Sequence, residues 1–85
     1  MGVISKMKAR IVGNVRNTDF YIFECSLGFG YFEYSGTEEF IKGDVIDGNL
    51  DSLGDCLIKK EIEAEHHTVY IQCYDAPSVQ KALNR

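Results

Sequence analysis

The chain has 85 residues, of which 45% are hydrophobic and 26% are charged, and its formal net charge is −4. A chain this short forms one domain, which we expect to span residues 1–85, with a loose N-terminal tail at residues 1–6. The composition excludes a disordered polymer, and no apolar run approaches the roughly 20 residues of a membrane-spanning helix. Three scattered cysteines exclude a disulfide framework, so we expect reduced thiols in a cytoplasmic protein without membrane association.

The charges are distributed unevenly along the chain. Residues 1–16 contain four basic residues and no acidic one, whereas residues 17–85 contain five basic and thirteen acidic residues. This asymmetry predicts a local positive field near the first strand, on a protein that repels anions elsewhere. The alternative is a basic strand that lies beside acidic strands and pairs its charges with theirs.

The first predicted strand covers residues 7–16, where apolar and polar side chains alternate. A period of two is typical of a strand with one buried face. The apolar set, which includes Ile11 and Val15, should face the core. The outer face should then carry a basic stripe formed by Lys8, Arg10 and Arg16, together with Asn14.

Residues 20–35 hold seven of the ten aromatic residues and predict a β-hairpin that turns at residues 26–28. A carboxylate is not buried without a partner, so Glu24 on one strand and Glu33 on the other should face outward. Strand alternation then places four apolar side chains on the same outer face, namely Phe20, Ile22, Phe29 and Tyr31.

The rest of the chain predicts three further strands, at about residues 44–50, 56–62 and 67–74. Residues 37–43 begin with a capping Thr and two Glu and end in Gly, which predicts one or two turns of helix. A short C-terminal helix should follow Asp75. The predicted core consists of Ile11, Val15, Phe23, Phe32, Ile46, Ile58, Val69, Ile71 and Leu83.

Three strands, a short helical turn and then more strands is the element order of an oligonucleotide/oligosaccharide-binding (OB) barrel. The step Gly43-Asp44-Val45, at the entry to the fourth strand, looks like one that many such barrels contain. An SH3-like barrel, or a small meander with a C-terminal helix, is the alternative. The predicted fold class is all-β: a small, mainly antiparallel, OB-like barrel with one short turn of helix mid-chain and a short C-terminal helix.

The run Gly28-Phe29-Gly30-Tyr31-Phe32 resembles the Gly-Phe-Gly-Phe core of cold-shock domains, which belong to the OB class. The resemblance covers five residues. It implies that Phe29 and Tyr31 project outward and stack on single-stranded bases. It also implies that the two glycines let the neighbouring strand approach.

Binding of single-stranded nucleic acid requires cations that follow the phosphates beside aromatic rings that stack on the bases. The outer face combines both, although two glutamates share it. We therefore predict a non-catalytic binding module for single-stranded RNA or DNA. The alternative is a protein-interaction or homodimerisation module that uses the same aromatic face, because exposed apolar patches mark protein interfaces. The predicted nucleic-acid site consists of Lys8, Arg10, Arg16, Phe20, Phe29 and Tyr31.

No catalytic residue, cofactor or metal site is predicted. Cys25, Cys56 and Cys73 have no metal-ligand spacing, and strand alternation should turn all three inward as small hydrophobic side chains. His66 and His67 lie in a polar segment that suits solvent exposure.

Residues 47–55 form an acidic segment whose spacing partly matches a calcium loop. Ser52 and Ile58 stand where such a loop needs Gly and Glu, so an acidic, solvated loop is the interpretation that we favour, and calcium binding stays open. The matching side chains are Asp47, Asn49, Asp51 and Asp55.

Overall fold

The chain forms six strands and one short helix, as described by a computed structural model for residues 7–84. The elements are β1 (Met7–Asn14), β2 (Phe20–Cys25), β3 (Gly28–Glu33), β4 (Val45–Gly48), β5 (Gly54–Lys60), β6 (His66–Ala76) and α1 (Val79–Leu83). The predicted tail, residues 1–6, lies outside the described residues. Among the residues that the structure describes, no helix has the length and apolar character needed to cross a membrane.

The six strands close into a barrel in the order β1-β2-β3-β6-β5-β4, with β4 paired to β1. All neighbouring strands are antiparallel. The barrel therefore consists of two three-stranded meanders, β1–β3 and β4–β6, which join at β3–β6 and at β1–β4. The predicted antiparallel barrel with a short C-terminal helix is confirmed, and it is compatible with an OB-like or an SH3-like barrel.

Side chains from all six strands fill the barrel interior. Val15 was predicted to be in the core, but it lies beyond the end of β1 and is only half-buried. Leu83 is also outside the core, with 39% exposure, because α1 packs through Ala82 instead. The predicted core residues that are buried are Ile11, Phe23, Phe32, Ile46, Ile58, Val69 and Ile71.

The predicted mid-chain helix is wrong, because the β3–β4 connection (residues 34–44) contains no helix. Phe40 of this connection is 2% exposed and packs against Tyr21, Phe32 and His67, with ring centroids 5.3, 5.7 and 5.7 Å away. A helix cap is worth about 1 kcal/mol. Full burial of a Phe side chain is worth about 1.5–3 kcal/mol. The burial of Phe40 therefore outweighs the local helix preference.

The alternation of β1 breaks between Ile11 and Gly13, where the register against β2 shifts. Such a bulge exchanges the inner and outer faces of the strand beyond it. Asn14 consequently lies opposite Tyr21, which packs against the core, and not on the outer stripe that the sequence predicted. Its side-chain amide donates to the carbonyl oxygen of Phe20 at 2.8 Å, so Asn14 closes the β1–β2 turn.

β6 approaches β3 most closely at Gly30. A Cβ atom there would overlap the carbonyl oxygen of Cys73 and lie 2.6 Å from the Cα of Tyr74. The β3–β6 register is irregular at this point. Cys73 is buried, as predicted, but it lies beneath α1 with Ala82 and not inside the barrel, and the next residue, Tyr74, packs against the main core instead. The glycine role that the resemblance implied holds at Gly30.

Phe40→Ala should lower the free energy of unfolding by about 3–5 kcal/mol, because it leaves a cavity among aromatic rings. Ile41→Ala is the matched control. Ile41 is the next residue and is 58% exposed, so its truncation should change stability by no more than about 0.5 kcal/mol. Chemical denaturation measures both variants. Equal losses would show that the connection does not depend on the burial of Phe40.

Gly30→Ala should destabilise the barrel by about 1–3 kcal/mol, because the new methyl group would overlap the β6 backbone. Gly13→Ala is the control, since no atom lies within 4 Å of a Cβ placed there. Thermal denaturation compares the two. A wild-type melting temperature for Gly30→Ala would contradict the close approach of β6.

Candidate functional site

The three basic residues of the predicted nucleic-acid site differ in whether they form ion pairs. Lys8 is exposed, but its ammonium bonds the carboxylates of Asp47, at 3.1 Å, and Glu61. The hydrogen bond to Glu61, followed by the one to Asp47, raises the pKa of Lys8. Arg10 and Arg16 are also exposed and make no ion pair with the rest of residues 7–84. The charge of Lys8 is therefore largely neutralised, and that of the two arginines is not.

The aromatic residues of the predicted site lie on the outer side of β2 and β3. Phe20 and Tyr31 are half-buried and meet edge to face, with ring centroids 5.4 Å apart. Phe29 and Tyr31 also pack against the small cluster beneath α1. The helix thus takes up part of the aromatic surface that the resemblance assigns to base stacking.

A shallow cleft of about 410 Å³ lies between β1, β2 and the start of β4, beside Lys8 and Arg10. Lys8 and Arg10 line it together with Glu24. Arg10 and Glu24 are cross-strand neighbours in the β1–β2 register. The cleft therefore carries charges of both signs and does not provide an unbroken basic track for phosphates.

A row of four outward side chains crosses the sheet from β2 to β5. In the strand registers, Phe20 lies opposite Glu33, Glu33 opposite Tyr70, and Tyr70 opposite Asp55. All four face outward, because a neighbour of each along its strand packs in the core. Three strand spacings of about 4.8 Å give the row a length of about 14 Å. Aromatic rings and carboxylates alternate along it, and we call it the aromatic–acidic row.

Tyr70, in the row, is 49% exposed, and Leu57, diagonal to it on β5, is 60% exposed. A cleft of about 330 Å³ beside Tyr70 is lined by Glu33 and Asp55. Neither carboxylate has an ion-pair partner among residues 7–84. The row thus presents two unpaired carboxylates on either side of the exposed Tyr70 ring, and the exposed Leu57 side chain lies next to them.

Sequence reasoning missed this row. It placed Phe20 and Glu33 on the outer face of the hairpin, which agrees with their positions in the barrel. The adjacency of Glu33 and Tyr70 depends on the pairing of β3 with β6, which are distant in the chain. The only sequence signal was the outward placement of each side chain.

A second polar cluster lies where the β3–β4 connection meets β5. The ammonium of Lys60 pairs with Glu38 at 2.8 Å and Asp44 at 3.4 Å. It also donates to the carbonyl oxygen of Glu39 at 2.7 Å and lies 5.4 Å from the ring centre of Phe40. The hydrogen bond between Lys60 and Glu38 lowers the pKa of Glu38 and raises that of Lys60. Lys60 therefore links the β3–β4 connection to strand β5 of the barrel.

His67 is buried, with 9% exposure, so the prediction that both histidines face solvent is wrong for this residue. β6 begins at His66, one residue earlier than predicted, and its alternation places His67 on the same side as Val69. His66 is exposed, as expected. His67 thus belongs to the interior beside Phe40.

The other ligand types that the sequence singled out are dispersed. The carboxylate of Asp47 is held by Lys8 at 3.1 Å and Lys59 at 3.8 Å. Within residues 7–84, neither the aspartates of the predicted calcium loop nor the three cysteines form a group of three metal ligands. Burial raises the pKa of the Cys56 thiol, which makes it a weak nucleophile.

No protein family model, curated protein or solved structure matches this chain.

Lys60→Met should lower the melting temperature at neutral pH, because it removes the ammonium that pairs with Glu38. The pKa of Glu38 is lowered in the fold. The stabilisation is therefore present above the ordinary pKa of Glu, about 4.3, and is lost as the pH falls through the lower folded value. The difference between wild type and variant should shrink in that acidic range. Lys42→Met, an exposed control, should change little. A difference independent of pH would indicate lost packing of the Lys60 stem and not lost charge.

Proposed function

We propose that this chain is a non-catalytic binding module that docks a cationic segment of a protein partner on the aromatic–acidic row. The observation that carries the proposal is the alternation of Phe20, Glu33, Tyr70 and Asp55 across four neighbouring strands. A Lys or Arg head group over an exposed tyrosine ring gains about 0.5–1 kcal/mol. The two flanking carboxylates add charge-assisted hydrogen bonds. A cytoplasmic location is part of the proposal and suits the three free cysteines.

The dimensions of the row favour a short extended segment. Glu33 and Asp55 lie on either side of Tyr70, two strand spacings or about 9.6 Å apart. Residues that share one face of an extended chain are about 6.6 Å apart. Long basic side chains span the difference, so two Lys or Arg separated by one residue reach both carboxylates. An apolar residue beside them would contact Leu57.

A second copy of this chain is a poor occupant of the row. A two-fold symmetric dimer places the same patch against itself. The row supplies two carboxylates and no cation, so such a dimer would bury negative charges that have no partner, which opposes association. Homodimerisation through this face is therefore less favourable than binding of a basic partner.

Single-stranded nucleic acid is the second candidate ligand. It is favoured by Arg10 and Arg16, which are exposed and make no ion pair within residues 7–84, and by the half-buried rings of Phe20 and Tyr31. Glu33, the cross-strand partner of Phe20, repels phosphate. This repulsion, together with the paired state of Lys8, makes the protein partner the stronger proposal.

A fluorescein-labelled peptide of about eight residues that alternates Arg with Ser and Leu should bind at low salt, and an otherwise identical peptide with Glu for Arg should not. Glu33→Gln, Asp55→Asn and Tyr70→Ala should each weaken binding about two- to fivefold. Glu24→Gln is the matched control, because Glu24 is an exposed acid on the barrel surface outside the row. Fluorescence anisotropy measures all five proteins.

Equal weakening by Glu24→Gln would indicate unspecific attraction to an acidic protein and overturn the assignment to the row. Titration with an unstructured oligonucleotide at about 50 mM salt separates the second candidate. If it binds, Tyr31→Ala should lose about 1–3 kcal/mol and Arg10→Ala should flatten the salt dependence by about one unit of slope or less. Oligonucleotide binding without peptide binding would replace the protein partner with nucleic acid.

A further inference from the structure

His67 has one ring nitrogen with a partner and one without. Nδ1 lies 3.3 Å from the hydroxyl of Tyr34. Nε2 is buried and has no hydrogen-bond partner among the described residues. The great majority of buried polar atoms are hydrogen-bonded, so an unpartnered nitrogen in a side chain that is more than nine-tenths buried requires an explanation.

Two carboxylates lie beside this histidine. One ligand atom each from Glu38, Glu63 and His67 lies within 4.8 Å of the other two. Glu38 belongs to the β3–β4 connection, Glu63 to the turn after β5, and His67 to the start of β6. The barrel thus gathers three ligands from three separate segments at one end of its core.

We propose that Glu38, Glu63 and the Nε2 atom of His67 form a binding site for a divalent transition-metal ion, with Zn²⁺ as the expected occupant. Imidazole nitrogen and carboxylate oxygen are both zinc ligands, and three protein ligands with a fourth position open to water is the usual arrangement of an open zinc site. Metal–ligand distances of about 2.0–2.2 Å in a tetrahedral site place the ligand atoms about 3.3–3.6 Å apart. The three ligand atoms, which lie within 4.8 Å of one another, therefore need to draw together by no more than about 1.5 Å.

Tyr34 offers a hydrogen-bond acceptor to the His67 tautomer that a metal site requires. Its hydroxyl oxygen accepts a hydrogen bond from the backbone N–H of Glu38 at 3.1 Å. The second lone pair of that oxygen can accept the Nδ1–H of His67, which leaves the Nε2 lone pair for the metal. A metal-bound histidine usually donates its other N–H in this way, and the donor contact sets the orientation of the ring. One hydroxyl thus positions two of the three ligands.

The charges around the site favour a dication. Glu38, Glu63 and Asp44 contribute three negative charges, and Lys60 contributes one positive charge. The ammonium of Lys60 contacts Oε2 of Glu38, so Oε1 is the oxygen left for a metal. Lys60 repels a cation, but its own charge is offset by Asp44. A divalent ion therefore brings this group close to neutrality.

An imidazole in the ligand set distinguishes the expected ions. Ca²⁺ and Mg²⁺ prefer all-oxygen sites, whereas nitrogen ligands suit Zn²⁺ and Co²⁺. The proposal therefore predicts binding of Zn²⁺ and Co²⁺ and no binding of Ca²⁺ or Mg²⁺ at the same concentrations. Occupancy would join the β3–β4 connection to the β5–β6 turn, so Zn²⁺ should also raise the melting temperature.

The test is calorimetric titration of the full, chelator-treated chain with Zn²⁺, in a reductant that does not bind metal. Wild type should bind one ion, and Glu63→Gln should weaken that binding at least about tenfold. Glu65→Gln is the matched control, since Glu65 is an exposed acid of the same turn. Glu38→Gln and Glu39→Gln form a second such pair. His66→Gln should bind like wild type, and His67→Gln, if folded, should not bind.

Three results would overturn the site: no Zn²⁺ binding by wild type, equal affinity of Glu63→Gln and Glu65→Gln, or a Co²⁺ complex with sulfur-to-metal charge-transfer absorption. The last result would assign the ion to the cysteine thiolates. The Glu63 and Glu65 variants do not alter the buried core, so the comparison stands even if His67→Gln fails to fold.

Discussion

The close approach of β6 to β3 at Gly30 is the contact on which the rest of the structure depends. It joins the two meanders into a closed barrel, and a side chain at this position would overlap the β6 backbone. The irregular register that results turns Cys73 out of the barrel and Tyr74 into it. Cys73 then gives α1 its docking surface, and α1 takes up part of the aromatic surface formed by β3. The close packing of β6 on β3 thus affects how much of that surface a ligand can reach.

The barrel itself was predictable from the sequence, because it follows from local alternation. Ile11, Phe23 and Phe32 are buried on the strands where a period of two placed them. The prediction failed where a contact distant in the chain overrides the local pattern. Phe40 lies in a segment with good helix-capping chemistry, but its ring packs against several strands, and no helix forms. The bulges could not be predicted from the sequence either, because they arise from the fit of one strand to its neighbour and not from composition.

The candidate sites were harder to predict than the fold for the same reason. The uneven charge of the chain pointed to a positive face on the first strand, and the alternative was pairing with acidic strands. The structure shows pairing at Lys8, which bonds Asp47 and Glu61, whereas Arg10 makes no ion pair within residues 7–84 and lies opposite Glu24. The unpaired acids lie elsewhere, on β3 and β5, on either side of Tyr70. Strand register brings them together, and register across a barrel closure cannot be read from one strand at a time.

The aromatic–acidic row and the proposed metal site occupy opposite faces of the same two strand ends. Glu33 points outward, and the next residue, Tyr34, points inward and contacts His67. On β6, Tyr70 points outward three residues after His67. The contact of Tyr34 with His67 therefore lies on the inner side of the same strand pair whose ladder places Glu33 beside Tyr70 on the outer side. An exposed ion pair is weak, and ordering its side chains on binding costs conformational entropy. A row of side chains on paired strands of a closed barrel, whose backbone is already ordered, is therefore better suited to bind a cationic segment than a row on a loop.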